Sequence, residues 1–155
     1  MPRRTAETGK RPKPATDTGA VLGARIADEC ILMRSRRLSR VISKLYDDAL
    51  RELSLSSAQL NQLVAISVGQ TLGMRAIDLG KALDIEKSTL SRNLSRMQEA
   101  GWIRQIPQGK HLLLELTPAG EALLRQAYPR WQAAQASAEQ LLGGELTSAL
   151  LELDP

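Results

Sequence analysis

The helical repeat of apolar side chains is clearest between residues 85 and 99. Ile85 is apolar, and Leu90, Leu94 and Met97 then recur at spacings of four and three, which places these last three side chains on one face of a helix. The other positions are rich in serine, which is a poor helix former in a helix interior. We therefore expect an anchored helix whose outer face is polar because it contacts a polar partner. That face holds Ser88, Arg92, Ser95 and Glu99, with Ser91 and Arg96 on its flanks.

Two longer helical patterns come earlier in the chain. Apolar residues at mixed spacings of three and four predict a first helix over about residues 27–53. Ser56 or Ser57 is the candidate N-cap of a second helix, which reaches Gly69. The predicted buried face of this second helix holds Leu60, Leu63 and Val64, with Ser67 at its margin.

The third predicted helix, "RAIDLGKALDI", carries Gly80 on its apolar stripe. A glycine inside a helix is less favourable than alanine by about 1 kcal/mol, so a close crossing of another helix would explain its presence. Asp84 follows, and Asp is one of the few non-glycine residues that accept a left-handed or turn conformation. We expect a sharp turn there, before the helix that contains Leu90.

A short hairpin is predicted after that helix. Gly101 is placed to end the helix as a C-cap. The segments "WIRQI" and "KHLLLEL" are predicted to be two strands around "PQG", since Leu112, Leu114 and Leu116 recur with period two.

Two helices follow the hairpin. Thr117 is a candidate N-cap, followed by proline at the first helical position, and this helix can continue to about Leu142. The glycines at 143 and 144 end it before a last short helix in "ELTSALLEL". The fold class is therefore mostly α with a small β-hairpin wing. Helix, tight turn, helix and hairpin in this order form a winged helix-turn-helix.

In that fold the second helix of the pair enters the DNA major groove with its N-terminal half, and the hairpin reaches the neighbouring backbone or minor groove. Arginine and lysine can neutralise phosphates or contact guanine, and short hydroxyl side chains can contact phosphates or base edges. The predicted function is sequence-specific binding of double-stranded DNA. The candidate DNA-binding residues are Arg75, Lys87, Ser88, Thr89, Ser91, Arg92, Ser95, Arg96, Arg104 and Lys110.

Three segments, taken together and in order, resemble the MarR family of bacterial regulators. They are "SSAQLNQLVAI", "MRAIDLGKALDIEKSTLSRNLSRMQEAGWI" and "LTPAGEALL", and the resemblance covers about residues 27–142. It implies a homodimer held by the first helix and the last two, with dimerisation helices at about 27–53 and 118–154 and a DNA-binding lobe at about 56–116. It also implies repression at a palindromic operator, usually relieved by a small phenolic or other lipophilic effector or by thiol oxidation.

The chain departs from the family pattern at three places. The family's wing usually carries an Asp-x-Arg-Arg-type run at its tip, whereas this wing is "IPQGKH", so Lys110 and Arg104 must substitute or the wing contributes less. Asp84 stands where glycine is common. In the peroxide-sensing branch a tyrosine bonds a reactive cysteine. If Tyr46 is that tyrosine, Leu32 occupies the cysteine's place, and Cys30 lies two residues earlier, about 200° around the helix.

Composition and charge narrow the alternatives. The 155 residues fit one domain, residues 24–155, preceded by a basic tail at 1–23 that we expect to be disordered, with five positive and two negative charges. The net charge of +4 makes a polyanion a plausible partner. One cysteine excludes an internal disulfide framework and suits the cytoplasm. We find no apolar run near the roughly 18 residues of a membrane span, and no signal-peptide pattern.

Three alternatives remain open. Cys30 is either a small hydrophobe at a dimer contact or a redox switch beside Arg34. The fold could also serve protein interaction without an operator, or bind DNA constitutively without an effector. Tyr128 and Trp131 are interpreted as packing residues or as the lining of a ligand pocket. Catalysis, a cofactor and a metal site find no support, since the single His and the single Cys are far apart in sequence and no catalytic motif is present.

Overall fold

A computed structural model describes residues 18–153. Most of the predicted basic tail, residues 1–17, lies outside the described residues. The described residues divide into two units, with the boundary between Leu38 and Ser39. The elements are α1 Gly19–Glu29, α2 Ile31–Leu50, α3 Ser57–Gly69, α4 Ala76–Ala82, α5 Lys87–Glu99, β1 Ile103–Gln108, β2 His111–Leu116, α6 Pro118–Leu142 and α7 Gly144–Glu152, with single 3₁₀ turns at Arg51–Leu53 and Gln70–Leu72.

Helices α1 and α2 stand where one long helix was predicted. Cys30 interrupts the helix with an extended backbone, φ −73° and ψ 107°. Its N–H still donates to the carbonyl of Ile26 at 2.9 Å, and the Arg34 guanidinium donates to the carbonyl of Asp28. The prediction of one continuous helix was wrong here because these bonds satisfy the end of α1 locally, without the glycine or proline that usually marks a break. Helix α1 also begins at Gly19, inside the segment predicted as tail.

The hydrophobic core lies in the second unit. Helix α3 packs against α4, α6 and β2, while α4 packs against α5, and α5 against β1. Apolar side chains from each of these elements meet in one continuous cluster. Its largest fully buried members are Leu50, Leu63, Ile66, Leu79, Met97 and Leu114.

The turn between α4 and α5 has the predicted geometry. Asp84 adopts a left-handed conformation with φ 48°. A Cβ added at Gly80 would lie 3.1 Å from Cδ2 of Leu90, which confirms that α5 crosses α4 closely at this glycine. Thr117 caps α6 as predicted, since its hydroxyl accepts from the N–H of Gly120 at 3.1 Å. Ser56 rather than Ser57 caps α3, in a capping box with Gln59.

The buried face of α3 differs from the prediction. Leu60 and Leu63 are buried, but Val64 is 46% exposed, and Gln62 and Ile66 are fully buried instead. Because α3 is covered by α4, β2 and α6, its buried arc is broad and is centred on the side of Leu63 and Ile66. Sequence spacing alone could not indicate that a glutamine would lie inside this arc.

The turn of the hairpin is shorter than predicted and lies two residues nearer the C-terminus, since Pro107 and Gln108 belong to β1 and Lys110 to the turn. Strands β1 and β2 pair antiparallel from Ile103 opposite Leu116 to Gln108 opposite His111, so the tight turn is formed by Gly109 and Lys110. Leu114 and Leu116 are buried as expected, but Leu112 is 51% exposed because the outer end of the hairpin projects beyond the core. Within residues 18–153, none of the helices combines the length and apolar character that a membrane span requires.

Candidate nucleic-acid interface

Helix α5 is held by the stripe that the sequence predicted. Leu90, Leu94 and Met97 are all buried in the core. The side chains of the other faces remain accessible, and the α5 residues predicted to contact DNA are all exposed. These are Lys87, Ser88, Thr89, Ser91, Arg92, Ser95 and Arg96.

The exposed side of α5 consists of two surfaces. Lys87, Ser91 and Ser95 line a groove of about 740 Å³ that α5 forms with α4 and strand β1. Ser88, Thr89, Arg92 and Arg96 do not line this groove and form the outer face of α5. Ser95, which the sequence placed near the centre of the outer face, therefore lies at its edge. The groove is completed by Ala76, Ile77, Gly80, Lys81, Asp84, Ile85, Leu90, Leu94, Gln98 and Gln105.

The cations of α5 are available for an external partner. Within residues 18–153, no ion pair includes Lys87, Arg92 or Arg96. Arg92 makes one bond within its own helix, from Nε to the carbonyl of Ser88 at 3.2 Å. The outer face therefore presents the positive charges of Arg92 and Arg96, which form no ion pair among the described residues.

Arg75 is held differently from the cations of α5. It precedes α4, and its Nε and Nη2 donate to the two carboxylate oxygens of Asp78 at 2.6 and 2.8 Å. These hydrogen bonds from Arg75 lower the pKa of Asp78. The backbone of Arg75 also forms an isolated bridge to Leu113 in β2. The arrangement ties the start of α4 to the wing, and Arg75 is already paired before any DNA is present.

The wing contains two of the predicted cations. Arg104 lies opposite Glu115 in the strand register and pairs with its carboxylate at 3.1 Å. Lys110 is exposed in the turn at the tip, and no ion pair of the described residues includes it. Of these two cations, Arg104 has an ion-pair partner among the described residues and Lys110 has none.

The comparisons with known proteins agree with this geometry. The sequence model of the MarR family matches residues 53–111. The crystal structure of the transcriptional regulator MosR from M. tuberculosis is 33% identical in sequence, with a TM-score of 0.68, and the match covers 76% of this chain and 85% of MosR. The chain belongs to the MarR family.

Further relatives place the same fold in the same functional class. An uncharacterized HTH-type transcriptional regulator of Bacillus cereus is 29% identical over 124 residues, which is 79% of this chain and 83% of that protein. A mutant E. coli MarR crystallised with operator DNA has a TM-score of 0.71 at 20% identity, covering 81% of this chain and 91% of that one, and shows the shared winged-helix fold. The family and its named relatives are transcriptional regulators, not enzymes.

One residue of this MarR-family site was missed in the sequence. Glu86 precedes α5 and caps it, since its Oε2 accepts from the N–H groups of Ser88 at 2.7 Å and Thr89 at 3.2 Å. The Ser88 hydroxyl donates to the same oxygen. These hydrogen bonds lower the pKa of Glu86, and the bond from the Ser88 hydroxyl has the largest effect. The available signal was an acidic residue directly before a predicted helix, where the helix dipole stabilises a negative charge.

Cys30 and Tyr46 have separate surroundings. Cys30 is partly buried at the junction of α1 and α2. The Tyr46 hydroxyl donates to Oε1 of Gln135 in α6, whose Nε2 donates to Glu139 at 2.9 Å. Burial, and then the Glu139 carboxylate, raise the pKa of Tyr46 above its usual 10.0. If Tyr46 corresponds to the tyrosine of the peroxide-sensing branch, its hydroxyl is already bonded to a glutamine and not to a thiol.

Tyr128 and Trp131 stand next to each other on α6. Their rings stack with centroids 5.8 Å apart and planes inclined by 21°. With residues of α3 they line a cavity of about 410 Å³, within the size range of small-molecule sites. Its other lining residues are Leu60, Asn61, Val64 and Leu124.

Proposed function

We propose that this chain is a cytoplasmic, sequence-specific double-stranded DNA-binding repressor that acts as a homodimer on a palindromic operator. The observation that carries the proposal is the outer face of α5. There Arg92 and Arg96 are exposed and outside the ion pairs of the described residues, on a helix that follows the tight turn of a helix-turn-helix. Arginine on such a helix can bond O6 and N7 of guanine or contact phosphates. The crystal structure of MosR in complex with DNA, 32% identical, supports the same use of the fold.

The palindrome follows from the proposed dimer. Helix α1 has no buried residue, and its apolar side chains Val21 and Ile26 are 53% and 60% exposed. Helix α7 also has no buried residue, and Leu151 is 73% exposed. Apolar surface of this kind on a helix is typical of an interaction site. A second copy of the chain is the occupant that the family resemblance implies, and two-fold symmetry would then match two DNA half-sites.

The dimer is tested by sedimentation equilibrium. The wild type should sediment at about twice the mass of one chain, because a two-fold interface closes at two copies. Leu151→Glu should shift the equilibrium toward monomer. Leu72→Glu is the matched control, since Leu72 is 91% exposed in the 3₁₀ turn after α3, away from both terminal helices in sequence. A wild type that remains monomeric would contradict two-fold operator reading.

The DNA-binding proposal is tested by sequencing the genomic DNA that the purified protein retains, followed by gel-shift titration of the enriched sequence. We expect a short palindromic motif upstream of genes, and tighter binding to it than to shuffled DNA of equal composition. If no motif is enriched and binding is equal for both DNAs, the operator proposal is wrong and the protein-interaction alternative is favoured.

The cavity beside Tyr128 and Trp131 favours a second element of the proposal, release of DNA by a small phenolic or lipophilic effector. Its lining is mainly apolar and aromatic, with Asn61 as one polar group, which suits such a ligand. Phenol can be used as the probe. It should quench the Trp131 fluorescence and weaken operator binding, and Trp131→Phe should abolish the quenching while Trp102→Phe keeps it. A change that persists in Trp131→Phe would place the ligand elsewhere.

A further inference from the structure

We propose that Glu86 is a specificity-determining residue that accepts a hydrogen bond from the N4 amino group of a cytosine in the major groove. The inference rests on the proposed function, because it concerns which base α5 reads. Glu86 is exposed, and it stands at the N-terminal end of α5, the end whose residues reach base edges in a helix-turn-helix.

The carboxylate of Glu86 is fixed before DNA arrives. Its Oε2 accepts from two backbone N–H groups, those of Ser88 at 2.7 Å and Thr89 at 3.2 Å, and from the Ser88 hydroxyl. Among the hydrogen bonds of residues 18–153, none is made by Oε1 of Glu86. The cap therefore holds one carboxylate oxygen against the helix and leaves the other as an oriented acceptor.

The hydroxyl of Ser88 is committed by the same arrangement. A serine hydroxyl has one donor hydrogen and two acceptor lone pairs, and here the hydrogen goes to Glu86. Toward DNA, Ser88 can then only accept. On the outer face, Glu86 and Ser88 thus offer acceptors and a negative charge at the beginning of α5, although a helix N-terminus ordinarily attracts phosphate. The cation of Lys87 beside them lines the groove with α4 and β1, and the cations of the outer face lie further along, at Arg92 and Arg96.

An acceptor at this place fits a base amino group better than a phosphate. Phosphate oxygens would repel the carboxylate, and guanine presents only the acceptors N7 and O6 in the major groove. Adenine presents its amino group beside the acceptor N7, whereas cytosine presents N4 without an acceptor of its own. Cytosine is therefore the base that the Glu86 carboxylate matches.

The test is selection from a pool of random double-stranded oligonucleotides by three proteins: wild type, Glu86→Gln and Glu99→Gln. In Glu86→Gln the amide oxygen is needed for the cap, so its NH₂ group takes the place of Oε1 and faces the cytosine with a donor. We expect the wild-type motif to contain a cytosine in each half-site whose preference falls about five- to tenfold in Glu86→Gln, a loss typical of one base contact. Glu99 shares the outer face but is the last residue of α5, away from the N-terminal end that reaches base edges, so Glu99→Gln removes the same charge and should leave the motif unchanged.

A second variant separates the contact from the charge. Glu86→Asp keeps the negative charge and remains a favoured N-cap, but its shorter side chain withdraws from the groove, so the cytosine preference should also fall. A motif that is unchanged in both Glu86 variants, or that changes equally in Glu99→Gln, overturns the inference and leaves the proposed function standing. If the wild type selects no motif, the proposed function itself is wrong, and the inference fails with it.

Discussion

Helix α5 and the wing, the hairpin of β1 and β2, both carry cations, but these cations differ in whether they form ion pairs within the protein. Arg92 and Arg96 lie outside the ion pairs of the described residues, whereas Arg104 is paired with Glu115 across the two strands. Only Lys110 remains uncommitted in the wing. The difference indicates that positive charge alone does not locate a DNA-binding surface, since a cation that already has an internal partner offers less to phosphate.

The two regions also differ in how firmly they are anchored. Helix α5 places three side chains of its inner stripe in the core, while the outer end of the hairpin projects from it, with Leu112 half exposed. A helix fixed in this way can hold its outer side chains in position for base edges. We therefore expect α5 to determine affinity and specificity, and the wing to contribute phosphate contacts.

The largest expected effect concerns this anchoring. Leu94→Ala should lower the free energy of unfolding by about 2–5 kcal/mol, because a buried leucine leaves a cavity when truncated. Urea denaturation followed by circular dichroism measures the change. Leu112→Ala in the wing is the matched control and should cost under about 1 kcal/mol, since Leu112 is 51% exposed. Equal losses would contradict the difference in anchoring.

Arg92→Ala tests the difference in charge. It should weaken operator binding by about 1–3 kcal/mol, the range of a good base contact, in a gel-shift titration at fixed salt. Arg104→Ala should cost less, because its guanidinium is already paired with Glu115. Arg125→Ala, on the exposed side of α6, serves as a control for lost charge. If Arg104→Ala costs as much as Arg92→Ala, the wing and the helix contribute equally and the comparison fails.

Local rules predicted the elements of this site better than its pairings. Asp84 and Thr117 could be placed from the sequence because turn and cap preferences depend on neighbouring residues. The pairing of Arg104 with Glu115 could not, since it depends on the strand register, which the turn position decides. The helix break at Cys30 could not be predicted either, because neither proline nor glycine marks it. Hydrogen bonds from the Cys30 N–H and the Arg34 side chain satisfy the end of α1 instead.

Lys110→Ala tests the remaining cation of the wing. In the proposed dimer each copy loses one phosphate contact, so the plot of log affinity against log salt should flatten by about 1.8, and specific and non-specific DNA should both be bound more weakly by a similar factor. Fluorescence anisotropy over a salt series with operator and shuffled DNA provides both values. A slope that matches the wild type would remove the wing tip from the phosphate contacts.

The smallest expected effect comes from release of Arg104 from its ion pair in the wing. Glu115→Gln removes the negative partner of Arg104 while it keeps the size of the side chain, so the guanidinium becomes available to phosphate. Exposed ion pairs contribute about 0–1 kcal/mol, and the fold should tolerate the loss. Operator affinity should rise by about a few tenths of a kcal/mol, and the salt slope of the proposed dimer, with one Arg104 in each copy, should steepen by up to about 1.8.

The control for this variant is Glu121→Gln, which removes the same charge beside Arg125 on α6, 3.8 Å away in the wild type. A general gain in attraction to DNA from the lost negative charge would appear in both variants, whereas release of Arg104 would appear only in Glu115→Gln. If the two variants bind DNA equally, pairing within the wing does not limit its contribution. The weaker role of the wing would then have to come from its position on the DNA, and not from the commitment of its charge.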